Sequence, residues 1–167
     1  FHPLTIPRIM TNAGAAQASM ELGITGPAFT LSTACSSSAH ALGLAFWLVR
    51  QGVVDLAIAG GSEAPFCWGN LKAWEGLRAV SPDTCRPFSK DRLGMILGEA
   101  GAALVLEPLA AAIERGAPVH AEIVGCGMSS DAHHVTQPLA EGAARALRGA
   151  LRDGALAAEE VGYVNAH

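Results

Sequence analysis

One cysteine stands where its thiol could act as a nucleophile. Cys35 lies between the apolar segment 27–33, which the pattern predicts as a strand, and the Ala- and Leu-rich run 36–50, which it predicts as a helix. Unpaired N–H groups and the positive dipole at the start of a helix favour a thiolate over a thiol. A thiolate in such a turn could take an acyl group from a thioester and hold it covalently. A buried, inert cysteine is the alternative that the residues alone leave open.

The other cysteines and the paired histidines do not form the pattern of a metal site. The four cysteines, at positions 35, 67, 85 and 126, include no C-x-x-C pair. His133 and His134 are adjacent, and adjacent side chains in an extended loop point to opposite sides. We therefore predict no metal, and at least three free thiols in a reducing cytoplasm.

The elements that must hold Cys35 follow from the apolar periodicity and the turn residues. The strand before it, the helix after it and a second strand would form a right-handed parallel crossover. A long irregular connection follows, then a further strand and a short helix, and after Pro118 the strand–helix–strand pattern restarts. The predicted strands are 27–33, 53–59, 102–106, 121–124 and 161–165; the helices are 36–50, 108–116 and 141–152, and the irregular connection is 62–92.

Composition limits the classes of function. Of the 167 residues, 50% are hydrophobic and 16% are charged, and the net charge is −4, which gives no electrostatic reason to expect a nucleic-acid partner. No apolar run is long enough to span a bilayer, and the N-terminus does not read as a signal peptide. Because the chain starts without Met and stops in the apolar segment 161–167, we expect a piece of a longer protein, incomplete at both ends.

Several short motifs occur in one order along nearly the whole chain. They are Thr33-Ala34-Cys35-Ser36-Ser37, Ala59-Gly60-Gly61-Ser62-Glu63, Arg86-Pro87-Phe88, Gly98-Glu99, 125–132 and Asn165-Ala166-His167. Together these motifs resemble the β-ketoacyl-[acyl carrier protein] synthases, the KAS I/II-type condensing enzymes of the thiolase superfamily. The stretches 61–75 and 82–89 are most similar to the nodulation-type ketosynthases, whereas Ser89, Leu93 and Ala100 depart from the common family pattern.

The resemblance implies a thiolase-like fold, an α/β architecture of two related layered halves. Residues 1–117 would be the C-terminal part of the N-terminal ketosynthase half, which carries the nucleophile. Residues 118–167 would begin the C-terminal ketosynthase half. A second histidine, its supporting lysine and a gating phenylalanine are expected beyond this chain, so we expect the isolated chain not to condense.

Roles for individual residues also come from the resemblance. Cys35 matches the acyl-accepting cysteine, and His167 matches the first of two histidines that hold the malonyl thioester carbonyl. Thr136 would reach toward the phosphopantetheine arm, Trp74 would line the acyl tunnel, and Arg78 would meet the acidic carrier protein. A tryptophan packed on the core and a solvated surface arginine stay open as alternatives for the last two. His40, on the apolar helix, is expected to be a satisfied core histidine.

The reaction implied is a decarboxylative Claisen condensation of an acyl thioester with malonyl-[acyl carrier protein]. It would need no metal or organic cofactor, since the phosphopantetheine arm arrives on the carrier protein, and the parent enzyme would be a cytoplasmic homodimer. Two alternatives remain open: a thiolase acting on coenzyme A thioesters, and a non-catalytic partner subunit like the polyketide chain-length factors. Housekeeping fatty-acid elongation and a specialised lipid or polyketide pathway both fit these residues.

Overall fold

The computed structural model describes residues 2–167 as a mixture of helices and strands. In that part of the chain there are six α-helices, two strands and one short 3-10 turn. Their bounds in chain order are α1 (Thr5–Ile9), α2 (Ala13–Leu22), α3 (Ser37–Arg50), β1 (Ala57–Glu63), α4 (Trp68–Gly76), β2 (Ala100–Leu106), α5 (Leu109–Glu114), α6 (Ala140–Asp153) and the 3-10 turn Ala158–Glu160. No helix in residues 2–167 is long and apolar enough to cross a membrane.

The chain divides into two compact units, each of which is described by itself. The first consists of the residues up to Ala59 together with Leu104–His167, and it contains all the helices except α4. The second is Gly60–Ala103, which contains α4. Cys35 and the candidate residues Thr136 and His167 therefore lie in the first unit, whereas Trp74 and Arg78 lie in the second.

The two strands pair with each other in one sheet. Gly60 of β1 faces the backbone of Ala102 and Ala103, and Ser62 faces Gly101, so the strands run in opposite directions. A Cβ at position 60 would overlap the Ala102 carbonyl, which explains the glycine there.

Helix α3 is the element that carries the candidate nucleophile. Its Ala- and Leu-rich sequence favours a helix, which ends at Arg50 with Gln51 as the C-cap, before Gly52 takes a left-handed φ of 68°. Ala45 and Val49 of α3 are buried, together with Ala59 and Ala112. The core of the described residues is thus lined by small side chains, which lets neighbouring segments approach closely.

Several predicted elements agree with the structure and others do not. Helices 36–50, 108–116 and 141–152 and strand 102–106 are present with small shifts at their ends, whereas strand 53–59 is displaced to Ala57–Glu63. Helix α4 contradicts the irregular connection predicted for 62–92. The predicted strands at 27–33, 121–124 and 161–165 were wrong, and so was the parallel crossover. The physical reason is that an apolar segment becomes a strand only where a neighbour supplies a row of hydrogen-bond partners. Within residues 2–167, β1 and β2 pair only with each other, and Thr33 forms only an isolated bridge with Cys35.

Candidate active site

Cys35 lies in a sharp turn immediately before α3. Its side chain is exposed, and the next residue, Ser36, is the N-cap of the helix. Ala34 has a φ of 52°, in the left-handed region that residues with a Cβ rarely adopt. The turn therefore presents the thiol to solvent near the positive end of a 14-residue helix.

Two serines hold this turn through their hydroxyl groups. Ser37 Oγ accepts the Thr33 N–H at 2.8 Å and donates to the Ala34 carbonyl at 2.6 Å. Ser36 Oγ donates to the Thr33 carbonyl at 2.7 Å. These bonds tie the residues on both sides of Cys35 to each other, so the strained backbone at Ala34 is held in place.

His40 also faces this turn, although the sequence indicated only a satisfied core histidine. Its side chain is half-buried, and Nδ1 lies 2.5 Å from Thr33 Oγ1 and 3.2 Å from Ser36 Oγ. His40 further lines a cleft of about 360 Å³ beside α3, with Ser36, Met128 and Asp131 among its neighbours. The signal that could have located it is its spacing, because a residue four positions after Ser36 lies one helical turn above it.

Asp153, at the end of α6, joins three parts of the first unit. Its carboxylate accepts hydrogen bonds from Arg50 (2.7 Å) and Trp47 Nε1 (3.2 Å) of α3 and from the Cys126 N–H (2.9 Å). The Arg50 guanidinium, followed by the Cys126 N–H, lowers the pKa of Asp153 to about 2. Burial, and then the charge of Asp153, raises the pKa of the half-buried Cys126 thiol. Asp153 therefore fastens α3 to α6, and Cys126 is a poor candidate for a nucleophile.

The loop before α6 is organised around Asp131. Its carboxylate accepts the N–H groups of His133 (3.0 Å) and Leu139 (2.8 Å), and these bonds, that from Leu139 first, lower the pKa of Asp131. Thr136, which lies within the loop so closed, is exposed, and its N–H donates to His134 Nδ1 at 3.1 Å. The loop thus presents the Thr136 side chain to solvent.

His167 is exposed, and its N–H donates to Asn165 Oδ1 at 3.2 Å. No hydrogen bond within residues 2–167 joins His167 or Thr136 to Cys35, and none of the three is among the residues that line the cleft. The structure therefore brings Thr33, Ser36, Ser37 and His40 together around Cys35. In the described part of the first unit, no hydrogen bond joins Cys35, Thr136 and His167 to one another.

In the second unit, Trp74 is a half-buried residue of α4, and Arg78 is exposed just after it with a φ of 54°. Arg86 donates to both oxygens of Asp83, at 3.2 and 2.7 Å. Arg86, then the Thr84 N–H and the Ser81 hydroxyl, lowers the pKa of Asp83 to about 2. The conspicuous arginine of the Arg86-Pro87-Phe88 motif thus braces a local turn.

Metal-ligating side chains do not cluster in the part of the chain that the structure describes. Within residues 2–167 no three His, Cys, Asp or Glu side chains come together as a metal site would require. Cys35, Cys67, Cys85 and Cys126 are all free thiols in this structure.

Comparison with known proteins adds independent information. Residues 2–112 match the family described as "Beta-ketoacyl synthase, N-terminal domain", and residues 120–167 match "Beta-ketoacyl synthase, C-terminal domain". Nodulation protein E of Rhizobium meliloti is 48% identical over 160 residues, covering 96% of this chain. The 3-oxoacyl-[acyl-carrier-protein] synthase 2 of Staphylococcus aureus is 37% identical over 172 residues, covering 99% of this chain. The chain spans 40% and 43% of the lengths of these two relatives.

A solved structure is similar as well. The ishigamide ketosynthase/chain length factor superimposes with a TM-score of 0.91 at 39% sequence identity. The match covers 96% of this chain and 40% of the other. Sequence and fold thus indicate the same group of proteins.

Proposed function

Because the chain belongs to the β-ketoacyl synthase family and has its thiolase-like fold, we propose that the protein carrying it is a condensing acyltransferase. The reaction is a decarboxylative Claisen condensation of an acyl thioester with malonyl-[acyl carrier protein]. The observation that carries the proposal is the position of Cys35, which is exposed in the turn directly before the N-cap of α3.

Cys35 accepts the acyl group in the first half of the reaction. Its thiolate attacks the carbonyl carbon of the incoming acyl thioester, so an S–C bond to Cys35 forms. The S–C bond of the donor breaks, and the donor's sulfur departs as a thiolate that takes up a proton from solvent. The positive end of α3 favours the thiolate, and the backbone N–H of Cys35 serves as one donor to the oxyanion that develops. Exposure of the thiol supports this role, because an acyl donor must reach Sγ.

His167 acts in the second half of the reaction. A neutral imidazole N–H donates to the malonyl thioester carbonyl and stabilises the enolate that remains when CO₂ departs. The enolate carbon then attacks the Cys35 thioester, so a C–C bond forms and the S–C bond to Cys35 breaks. The exposed His167 side chain supports the role, and its second histidine partner is expected outside this chain.

The remaining site residues bind the carrier-borne substrate. Thr136 donates its hydroxyl toward the phosphopantetheine arm, and its place in the loop closed by Asp131 supports a fixed position. Arg78 meets the acidic carrier protein, for which its exposure is a requirement, and Trp74 lines the acyl tunnel. The synthase itself needs no metal or organic cofactor, because the phosphopantetheine arm comes with the carrier.

The assembly and the pathway are proposed on coarser grounds. The full protein is a homodimer in the cytoplasm, a proposal that rests on its membership of the family. We also propose that residues 1–117 and 118–167 belong to the two ketosynthase halves, a division that the separate family matches over 2–112 and 120–167 support. Greater identity to nodulation protein E (48%) than to 3-oxoacyl-[acyl-carrier-protein] synthase 2 (37%) favours a specialised lipid pathway.

A mass measurement tests the first half-reaction. The protein that carries this chain is incubated with an acyl thioester, and we expect one covalent acyl adduct on Cys35. Cys35→Ala should abolish the adduct, whereas Cys67→Ala, the loss of another exposed cysteine, should leave it unchanged. An adduct that survives Cys35→Ala would contradict the proposal. Turnover with malonyl thioester, and not with acetyl-coenzyme A alone, separates a synthase from a thiolase.

A non-catalytic partner subunit is the second candidate, because the ishigamide relative is described as a ketosynthase/chain length factor. In this case the chain shapes the acyl tunnel of an active homologue. The exposed Cys35 argues against it. A folded protein that takes no acyl group on Cys35 would favour this second function.

A further inference from the structure

His40 contacts the turn that presents Cys35, yet none of the proposed reaction steps uses its side chain. It is part of α3, one helical turn beyond the N-cap Ser36, and its side chain is half-buried. Nδ1 lies 2.5 Å from Thr33 Oγ1 and 3.2 Å from Ser36 Oγ. The imidazole therefore touches the residues on both sides of the Ala34–Cys35 dipeptide.

The proposal uses one assignment of the hydrogen atoms in this cluster, since heavy-atom distances alone fit either tautomer of His40. Ser36 Oγ has one hydrogen and donates it to the Thr33 carbonyl, its nearest acceptor, at 2.7 Å. We assign the Thr33 hydroxyl hydrogen to the bond with His40, so that Nδ1 is the acceptor. An imidazole that accepts at Nδ1 carries its hydrogen on Nε2. Two hydrogen bonds result: the Ser36 hydroxyl donates to the Thr33 carbonyl, and the Thr33 hydroxyl donates to His40 Nδ1.

We propose that His40 is a positioning residue for acyl transfer, holding Thr33 in the orientation that aims the Cys35 thiol at the substrate. The inference rests on the proposed function of Cys35. Ala34 adopts a left-handed conformation with a φ of 52°, and a non-glycine residue stays there only where its surroundings hold it. The hydrogen bond between Thr33 and His40 connects the start of the turn to α3. The hydroxyl groups of Ser36 and Ser37 donate to the carbonyl groups of Thr33 and Ala34, which also holds the turn.

Two substitutions of one histidine separate positioning from bulk packing. His40→Asn keeps an acceptor oxygen near the place of Nδ1, whereas His40→Leu fills the space without an acceptor. In the protein that carries this chain, we measure alkylation of Cys35 by iodoacetamide and acyl transfer to Cys35, both by mass spectrometry of the peptides. Alkylation of the exposed Cys67 in the same sample is the internal control.

We expect His40→Leu to slow both reactions of Cys35 by roughly tenfold, which is the effect of losing one hydrogen bond that orients the reacting group. His40→Asn should restore most of the rate, and the alkylation of Cys67 should not change. Thr33→Val removes the other end of the same bond. It should slow Cys35 by a similar factor, and combining it with His40→Leu should add little.

Two results would overturn the proposal. One is that Cys35 reacts at the same rate in the parent and in His40→Leu. The other is that His40→Leu and His40→Asn slow Cys35 equally, since packing alone would then explain the effect. If His40→Leu does not fold, the Thr33→Val variant decides by the same criterion. If the parent takes no acyl group, the proposed function fails by itself, while the alkylation rates still decide the role of His40.

Discussion

Gly43 of α3 lies directly against the side chain of Cys126, so that a Cβ at position 43 would overlap Sγ and stand 2.9 Å from Met128 Cε. The absence of a side chain at Gly43 is what allows the segment 126–128 to lie on the helix that presents Cys35. Asp153 accepts a hydrogen bond from the Cys126 N–H at 2.9 Å. Helix α3 is thus held by its close contact with Cys126 and by the Asp153 carboxylate, which binds both Arg50 of α3 and the Cys126 N–H.

Gly43→Ala tests this close approach. We expect it to lower the free energy of unfolding by about 1–3 kcal/mol, the usual cost of overpacking, despite the better helix propensity of alanine. Gly14→Ala in α2 is the matched control, because a Cβ there meets nothing within 4 Å. The control should gain about 0.5–1 kcal/mol. Urea denaturation measures both, and a Gly43→Ala variant as stable as the parent would show that the segment 126–128 does not lie on α3.

Asp153→Asn should destabilise the protein in a pH-dependent way. The pKa of Asp153 in the folded state is about 2, below its usual 3.8, so its carboxylate stabilises the fold fully above pH 3.8. That stability is lost as the pH falls from 3.8 through 2, where the folded-state carboxyl takes up a proton. The difference in melting temperature between parent and variant should therefore be constant near neutral pH and shrink toward pH 2.

Circular dichroism melts at several pH values measure this difference. Asp83, whose pKa is also about 2, is present in both proteins, so its contribution cancels in the comparison. A difference that persists unchanged down to pH 2 would mean that the asparagine acts through packing and not through the lost charge.

The sequence predicted the family and much of the helical structure. The order of the motifs identified the β-ketoacyl synthases, and the comparisons confirm that identification and the thiolase-like fold. Helices α3 and α6 were predictable because their Ala-rich runs favour a helix without a partner. The strands at 27–33, 121–124 and 161–165 were not, because apolar residues give a segment strand propensity but do not show where its pairing neighbour lies.

The candidate site was predicted unevenly, and the reason is again physical. Cys35 could be found from its place between an apolar segment and a helix start. The sequence assigned His40 only to the core. Its contact with the turn depends on the left-handed φ of Ala34, which cannot be predicted from an alanine. The roles of Cys35, His167, Thr136, Trp74 and Arg78 stay predictions, to be decided by the acylation and binding measurements.

The four cysteines should differ in reactivity toward iodoacetamide. Cys35, Cys67 and Cys85 are exposed, whereas Cys126 is half-buried, and burial, then the charge of Asp153, raises the pKa of its thiol. Both effects lower the fraction of accessible thiolate, so Cys126 should react several times more slowly than Cys67. Peptide mass spectrometry over time measures the order, and in urea all four should react at similar rates. Equally fast labelling of Cys126 in the folded protein would refute this account of its surroundings.

Ser37→Ala should weaken the turn that carries Cys35 much more than Ser38→Ala. Ser37 Oγ accepts the Thr33 N–H and donates to the Ala34 carbonyl, so its loss should cost about 1–2 kcal/mol of unfolding free energy. Ser38 is exposed, and its hydroxyl makes no hydrogen bond within residues 2–167, so its replacement tests the general effect of alanine at the start of α3. Urea denaturation should show a lower free energy of unfolding only in Ser37→Ala. The rate of Cys35 alkylation should likewise fall only in that variant. If both variants behave alike, the strained backbone at Ala34 is held by something other than the Ser37 hydroxyl.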